Sequence, residues 1–283
     1  MVHTEDLEKI VALALCSAYV EGDKPLSLLL ISDRPEAGKS EIVKRFSGTP
    51  NVEFASDVSG FGIRRDFVEK IKHGELKHII IPEFLQPLMK GRVSAQSFTT
   101  TLQCLMEDGV MGLHSGFMKA SFASDTKDAR TVGFIGCLPR PLFTKQLRYE
   151  WLRTGFLSRW LVVTYRYDDD AINGIIQSIE DGDYLKQDKD LQVMDGITTA
   201  IEIPKEVAKA CTNLALEIVK SAKESGLAYG FREIKHIRVL VMANVIHDRI
   251  VNGSQRVEAA MDDFSEVERL GYLFNEQFNC VRN

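Results

Sequence analysis

Asp33-Arg-Pro-Glu36-Ala37-Gly38-Lys39-Ser40 is the stretch of this sequence whose residue types and spacing suit them to chemistry. A continuous apolar run, KPLSLLLIS (Lys24 to Ser32), precedes it, and a segment with helical spacing, KSEIVKRFS, follows. A turn between a buried strand and a helix exposes backbone N–H groups, and the helix N-terminus favours anions. In that setting a lysine can hold the β- and γ-phosphates of a nucleotide, and a Ser or Thr hydroxyl can hold Mg2+. Gly38, Lys39 and Ser40 supply the second half of GxxxxGK[ST], while Asp33 stands where the first glycine belongs. The candidate phosphate-binding residues are Asp33, Glu36, Ala37, Gly38, Lys39 and Ser40, the last acting through Mg2+. The plainer alternative is a strand–turn–helix that contains GKS by chance.

A second apolar run, LKHIIIPEF, ends in Pro82 and Glu83. ATPases with such a loop carry an acid at the tip of the strand beside the loop strand, where it manages Mg2+ and activates water. With a loop, a strand and Glu83 in this order, the chain resembles the AAA+ ATPases. TGFLSRWLVVTYRY is similar to the segment before the last core strand of the minichromosome-maintenance helicases within that group. FREIKHIRVLVMANVIHDR and RVEAAMDDFSEVERL are similar to their helical lid. The resemblance covers roughly residues 24 to 278. It implies bound ATP and Mg2+, Glu83 as the group that activates water, and Arg159 as an arginine finger reaching a neighbouring subunit's site. It further implies Arg232 as the arginine that senses the γ-phosphate, with Arg238 as the fallback. LQCLMEDGVMGLHSGFMKASFA resembles the family's helix followed by a pore hairpin, which makes Lys119, with His114 and Phe117, the nucleic-acid candidates. The sequence departs from the pattern at Asp33, at Pro82 in place of a metal-holding aspartate, and at Cys137 and Leu138 in place of a polar sensor. The long hairpin inserted into an earlier helix of those helicases has no room in GFGIRRDFVEKIKHGELK.

The elements that position these residues follow from apolar spacing. Five runs predict core strands: KPLSLLLIS, NVEFASDV, LKHIIIPEF, TVGFIGCLP and WLVVTYRY. Short unbroken apolar runs of this kind suit strands buried on both faces of a parallel sheet. Helical segments lie between them, and one helix carries Phe98, Leu102, Leu105 and Met106 on one face. An amphipathic helix with Leu7, Ile10, Val11, Ala14 and Ala18 precedes the first strand, and residues 110 to 123 predict a hairpin. The expected fold is α/β, a three-layer core around a parallel sheet, followed by a small all-helical lid. The expected boundaries are 1–180 for the nucleotide-binding core, 181–199 for a linker and 200–283 for the lid.

The 283 residues carry 35 Lys and Arg against 40 Asp and Glu, for a formal net charge of −5. With 45% hydrophobic and 27% charged residues, the chain is neither disordered nor a coiled coil nor a small disulfide scaffold. Five scattered cysteines with no CxxC pair predict free thiols and a cytoplasmic protein, and no apolar run reaches the length of a membrane span. A chain without a basic exterior can meet nucleic acid only where a few cations are gathered, at the 110–123 hairpin or around Arg64 and Arg65. The sequence thus predicts an ATPase acting as a homo-oligomeric ring, a hexamer by family analogy, on single- or double-stranded DNA. A nucleotide-binding assembly or regulatory protein with weak or no hydrolysis, or a motor that remodels protein, remains open at this stage.

Overall fold

The computed structural model describes residues 4–112, 130–144, 148–182, 188–192, 198–220 and 229–274. In chain order the first elements are α1 (Thr4–Cys16), β1 (Ser27–Ser32), α2 (Lys39–Lys44), β2 (Val52–Phe54), α3 (Gly60–Asp66) and α4 (Val68–His73). Next come β3 (His78–Ile81), α5 (Leu85–Met89), α6 (Arg92–Glu107), β4 (Gly133–Pro139) and the single turn α7 (Arg140–Leu142). The sequence continues with α8 (Arg148–Arg153), β5 (Trp160–Tyr165), α9 (Asp169–Glu180) and α10 (Lys205–Ile218). Two further helices follow, Phe231–Asn252 and Met261–Arg269.

The five strands form one all-parallel sheet in the order β2-β3-β4-β1-β5. Side chains alternate across it with period two. Leu29 and Ile31 of β1, Ile79 and Ile81 of β3, Phe134 and Leu138 of β4, and Trp160 and Val162 of β5 join one apolar cluster. Their neighbours Leu28, Leu30, Ile80, Ile135, Cys137, Leu161 and Val163 join another on the opposite face. β1, β3, β4 and β5 are therefore buried on both sides, which is why their sequences read as apolar runs, while the edge strand β2 is only half-buried. The first face is covered by α3, α4 and α6, the last through Phe98, Leu102, Leu105 and Met106. Its centre is aromatic, with Phe84 edge-on to Trp160 at 5.3 Å between ring centroids. The second face is covered by α1, α2 and the helices after residue 204, and their side chains share one continuous cluster with the sheet.

Several local expectations change. The segment before β1 is read as an amphipathic helix, yet α1 is buried on nearly every side, including Asp6 and Glu8. It lies between the sheet and the Phe231–Asn252 helix, so both layers cover it, and its acids are paired inside. Asp6 accepts from Arg269 at 2.5 Å and from the Tyr272 hydroxyl at 2.6 Å, while Glu8 meets Arg45. The strand read over Asn51 to Val58 shortens to Val52–Phe54. The helix read from Ile63 breaks at Phe67 into α3 and α4 and ends, as read, at Gly74 with φ 74°. Gly109–Gly112 form a 3-10 turn where the predicted hairpin was to begin, and the rest of that hairpin lies outside the described residues.

β3 carries a buried histidine whose chemistry yields a stability prediction. His78 is 1% exposed, and its Nε2 lies 3.1 Å from the Leu26 carbonyl oxygen. It faces Gly133 of β4, where a Cβ would stand 2.3 Å from that nitrogen, so only glycine admits the ring. Burial lowers the His78 pKa to about 4. The folded chain therefore prefers the neutral ring. The resulting stability is complete above pH 6.5 and is lost as the pH falls from there through 4. That loss amounts to about 3 kcal/mol. Urea unfolding at pH 7 and at pH 4.5 should show about 2 kcal/mol of it, and a His78→Gln chain should lose distinctly less between the same two pH values. Among the described residues no helix is long and apolar enough to cross a membrane.

Candidate nucleotide-binding site

β1 ends at Ser32, and the chain turns through Asp33 to Gly38 before α2 begins at Lys39. The turn needs two left-handed residues, Gly38 at φ 67° and Glu36 at φ 64°. For a glutamate that conformation costs about 1 kcal/mol, a strain held by the surrounding structure. The loop is pinned from β5, whose Tyr165 hydroxyl donates to the Ala37 carbonyl at 2.7 Å. A Cβ at Gly38 would meet only the Tyr167 hydroxyl, at 3.9 Å, so the loop face is open. Gly38 is the N-cap of α2, and the first N–H groups of a helix have no partner within it. Ser40 sits half-buried at the second position of α2.

The Lys39 ammonium donates to the Ser32 hydroxyl at 2.6 Å and reaches the Arg34 carbonyl at 3.4 Å. Burial lowers its pKa, while Cys137 and Glu83 oppose the shift from nearby. Glu83 thus belongs to the same electrostatic neighbourhood as Lys39, as the sequence implies. It is exposed, two residues past Ile81, at the carboxyl edge of the sheet. The strand that carries it is not beside the loop strand, as read from the sequence, because β4 intervenes. That places Cys137 of β4 between Lys39 and Glu83, and burial holds its thiol protonated, with a pKa of about 12. Asp33, the residue in place of the first glycine, turns away to an ion pair with Arg140 at 2.5 Å. Its carboxylate is thereby neutralised, which removes the repulsion that an isolated acid would offer a phosphate.

The two arginines lie elsewhere. Arg159 ends the 3-10 turn Leu157–Arg159 and immediately precedes Trp160, which pairs in register with Ser27, the first residue of β1. Lys39 touches Ser32, the last residue of that strand. The five intervening steps correspond to about 17 Å, longer than an arginine side chain can span. Arg232 stands with Arg159, since its Nη1 donates to the Ser158 hydroxyl at 2.8 Å. Both arginines converge on Glu107 at the end of α6, Arg232 at 3.2 Å and Arg159 at 3.8 Å. Lys24 joins them at 3.6 Å and also caps the helix by donating to the Glu107 carbonyl at 2.7 Å. Burial lowers the Arg159 pKa, the adjacent Arg232 adds to the effect, and Glu107 opposes it. The structure therefore brings Lys39, Ser40 and Glu83 to one edge of the sheet and Arg159 and Arg232 to the other.

Lys119, His114 and Phe117 lie outside the described residues. The second basic cluster is largely spent on neighbours. Arg65 pairs with Asp66 at 2.6 Å, Lys72 with Glu69 at 2.7 Å, Lys70 with Glu53, and Arg64 donates to Thr101 at 3.1 Å. Sequence reasoning missed Ser32, Arg140, Tyr165 and Glu107. Ser32 and Arg140 carry a weak signal as polar residues flanking apolar strands, whereas Glu107 carries none.

No family model matches the sequence, and no curated protein matches it. Among solved structures, a full-length MCM homologue from Methanopyrus kandleri is similar over 98% of this chain and 57% of its own length. The TM-score is 0.51 and the sequence identity 13%. The chain thus spans a little over half of that protein, and at this identity the likeness is one of fold. The parallel five-stranded sheet with helices on both faces is the α/β fold that this chain shares with an MCM homologue.

Proposed function

We propose that the chain is an AAA+-type ATPase that binds ATP and Mg2+ at the Asp33–Ser40 loop and works as a homo-oligomeric ring on DNA. One observation carries this reading. The phosphate-holding lysine and the acid share one edge of the sheet, while both arginines occupy the other, beyond reach of their own loop. A site with Lys39 and Glu83, out of reach of its own Arg159 and Arg232, is completed when a second subunit presents its opposite edge. Bound Mg2+ supplies charge neutralisation at the phosphate oxygens. The chain's part is to cradle the phosphates with the loop N–H groups and Lys39, orient water through Glu83 and deliver Arg159 and Arg232 in trans. The residues fit that task, because the loop face is open and the Asp33 charge is paired. The reading also treats residues 1–180 as the core, 181–199 as a linker and 200–283 as the lid.

A second reading has a specific observation in its favour. Pro82 and the protonated Cys137 stand where a hydrolytic site would place groups that hold metal and water. Nucleotide would then drive assembly while turnover stays slow. The ATPase rate of a size-characterised sample, with and without single- and double-stranded DNA, separates the two. The motor predicts turnover that DNA raises and that Glu83→Gln lowers about a hundredfold with ATP binding retained. Tight binding with a rate no higher than that of Glu83→Gln supports the assembly protein. Absence of ATP binding overturns the loop assignment.

A further inference from the structure

Two of the exposed apolar surfaces outside the candidate site lie at its two halves. The first is α9. This twelve-residue helix has no buried residue, and Ile172, Ile176 and Ile179 form an exposed stripe at helical spacing. An amphipathic helix of that length lacks the tertiary burial that normally stabilises it. Its surroundings are acidic. Residues 168 to 182 contain Asp168, Asp169, Asp170, Glu180 and Asp181 and no Lys, Arg or His. α9 begins just after β5, next to Tyr165, which bonds to Ala37, and Tyr167, which faces Gly38. It therefore belongs to the loop edge.

The second surface is aromatic and basic. Tyr229 and Phe231 are 77% and 70% exposed, stacked at 5.7 Å with an interplanar angle of 16°. They flank the start of the Phe231–Asn252 helix, where Arg232 bonds to Ser158 and where Lys235 and Arg238 are exposed. Asp23 lies within electrostatic reach of Lys235 and Arg238. This surface belongs to the arginine edge.

We propose that the Tyr229–Phe231 pair of one subunit docks on the isoleucine stripe of α9 of the next, forming a head-to-tail contact between two copies of this chain. The occupant is a second copy because the two surfaces are both apolar and are opposite in charge: aromatic and basic on one, aliphatic and acidic on the other. Two different patches on one molecule make a heterologous contact, which propagates into a ring or a filament instead of closing as a symmetric pair. The inference rests on the composite-site reading, since delivery of Arg232 to a neighbour's loop carries Tyr229 and Phe231 to that neighbour's loop edge. Aromatic anchors beside an arginine are also the side chains most often found to dominate an interface.

The test uses the full chain with ATP and Mg2+ in sedimentation velocity. Ile172→Asp/Ile176→Asp disables one face and Tyr229→Ala/Phe231→Ala the other, and all four positions are exposed, so folding is untouched. Each variant alone should need at least about tenfold more protein to assemble. Mixed together, they should form heterodimers, because one intact aromatic face meets one intact stripe. Wild-type multimers that both variants reproduce unchanged would overturn this contact and leave the composite site standing. Variants that fail alone and also fail as a mixture would overturn the pairing of these two faces. A wild-type chain that remains monomeric with ATP and Mg2+ would overturn both the contact and the composite site.

Discussion

A Lys39→Ala chain is expected to lose nucleotide affinity by about 10² to 10³ and ATP turnover entirely, while keeping its fold. The ammonium sits in a partly dehydrated position at the carboxyl edge of the sheet, where ligands bind in open α/β folds. Partial burial strengthens its attraction for phosphate, because less water competes. Removing it leaves no comparable cation on this loop. Arg34 is exposed on the turn, and Arg140 is engaged by Asp33. The structural cost is small, since the Ser32 hydroxyl keeps its own bond to the Arg34 carbonyl at 2.6 Å. Calorimetric titration with a nonhydrolysable ATP analogue, alongside a thermal melt, checks both halves. Unchanged affinity would show that the loop does not hold phosphate.

An Arg159→Ala chain should behave differently, binding ATP with near-normal affinity yet turning it over about 10³-fold more slowly. The difference follows from position. Arg159 is some 17 Å of strand away from its own loop and so contributes little to holding nucleotide there. Its guanidinium is kept ready by the protein: Nη1 donates to the Gly155 carbonyl at 2.5 Å, and Glu107 and Arg232 stand beside it. Its buried Nε finds no hydrogen-bond partner among the described residues. Two guanidiniums and Lys24 outnumber the carboxylates of Glu107 and Asp108 at this edge, which suits an approaching phosphate. Single-turnover hydrolysis and equilibrium binding on the same variant separate the two effects. A matched fall in both would place Arg159 in a binding role instead.

Much of this was legible in the sequence because burial on both faces leaves an unbroken apolar run. Four of the five strands announced themselves that way, the half-buried edge strand β2 being the exception, and the glycines at 38 and 74 marked real left-handed turns. The place of the Asp33–Gly38 turn between a strand and a helix was legible because its residues are consecutive. Relations between distant residues were not. Glu107 is 83 residues from Lys24 and 125 from Arg232, and only the packing of α6 against the sheet brings them together. Arg140 reaches Asp33 across 107 residues because Pro139 of β4 pairs in register with Ser32 of β1. The placement of β4 between β1 and β3 is equally a fact of topology that no local pattern encodes. α1 looked amphipathic because its acids are visible in the sequence, while the partners that bury them, Arg269 and Arg45, are not adjacent to it.

Mixing the Lys39→Ala and Arg159→Ala chains tests the central claim, that one nucleotide is served by two subunits. Each variant alone should be inactive, for Lys39 and Arg159 are both required at every site. In a mixture, an Arg159→Ala subunit keeps its own Lys39 and can receive Arg159 from a Lys39→Ala neighbour. Random assembly around a closed ring then makes about a quarter of the sites complete, and the ATPase rate should recover to about that fraction of the unmodified chain's. Mixtures that assemble into multimers and yet show no recovery would contradict the account.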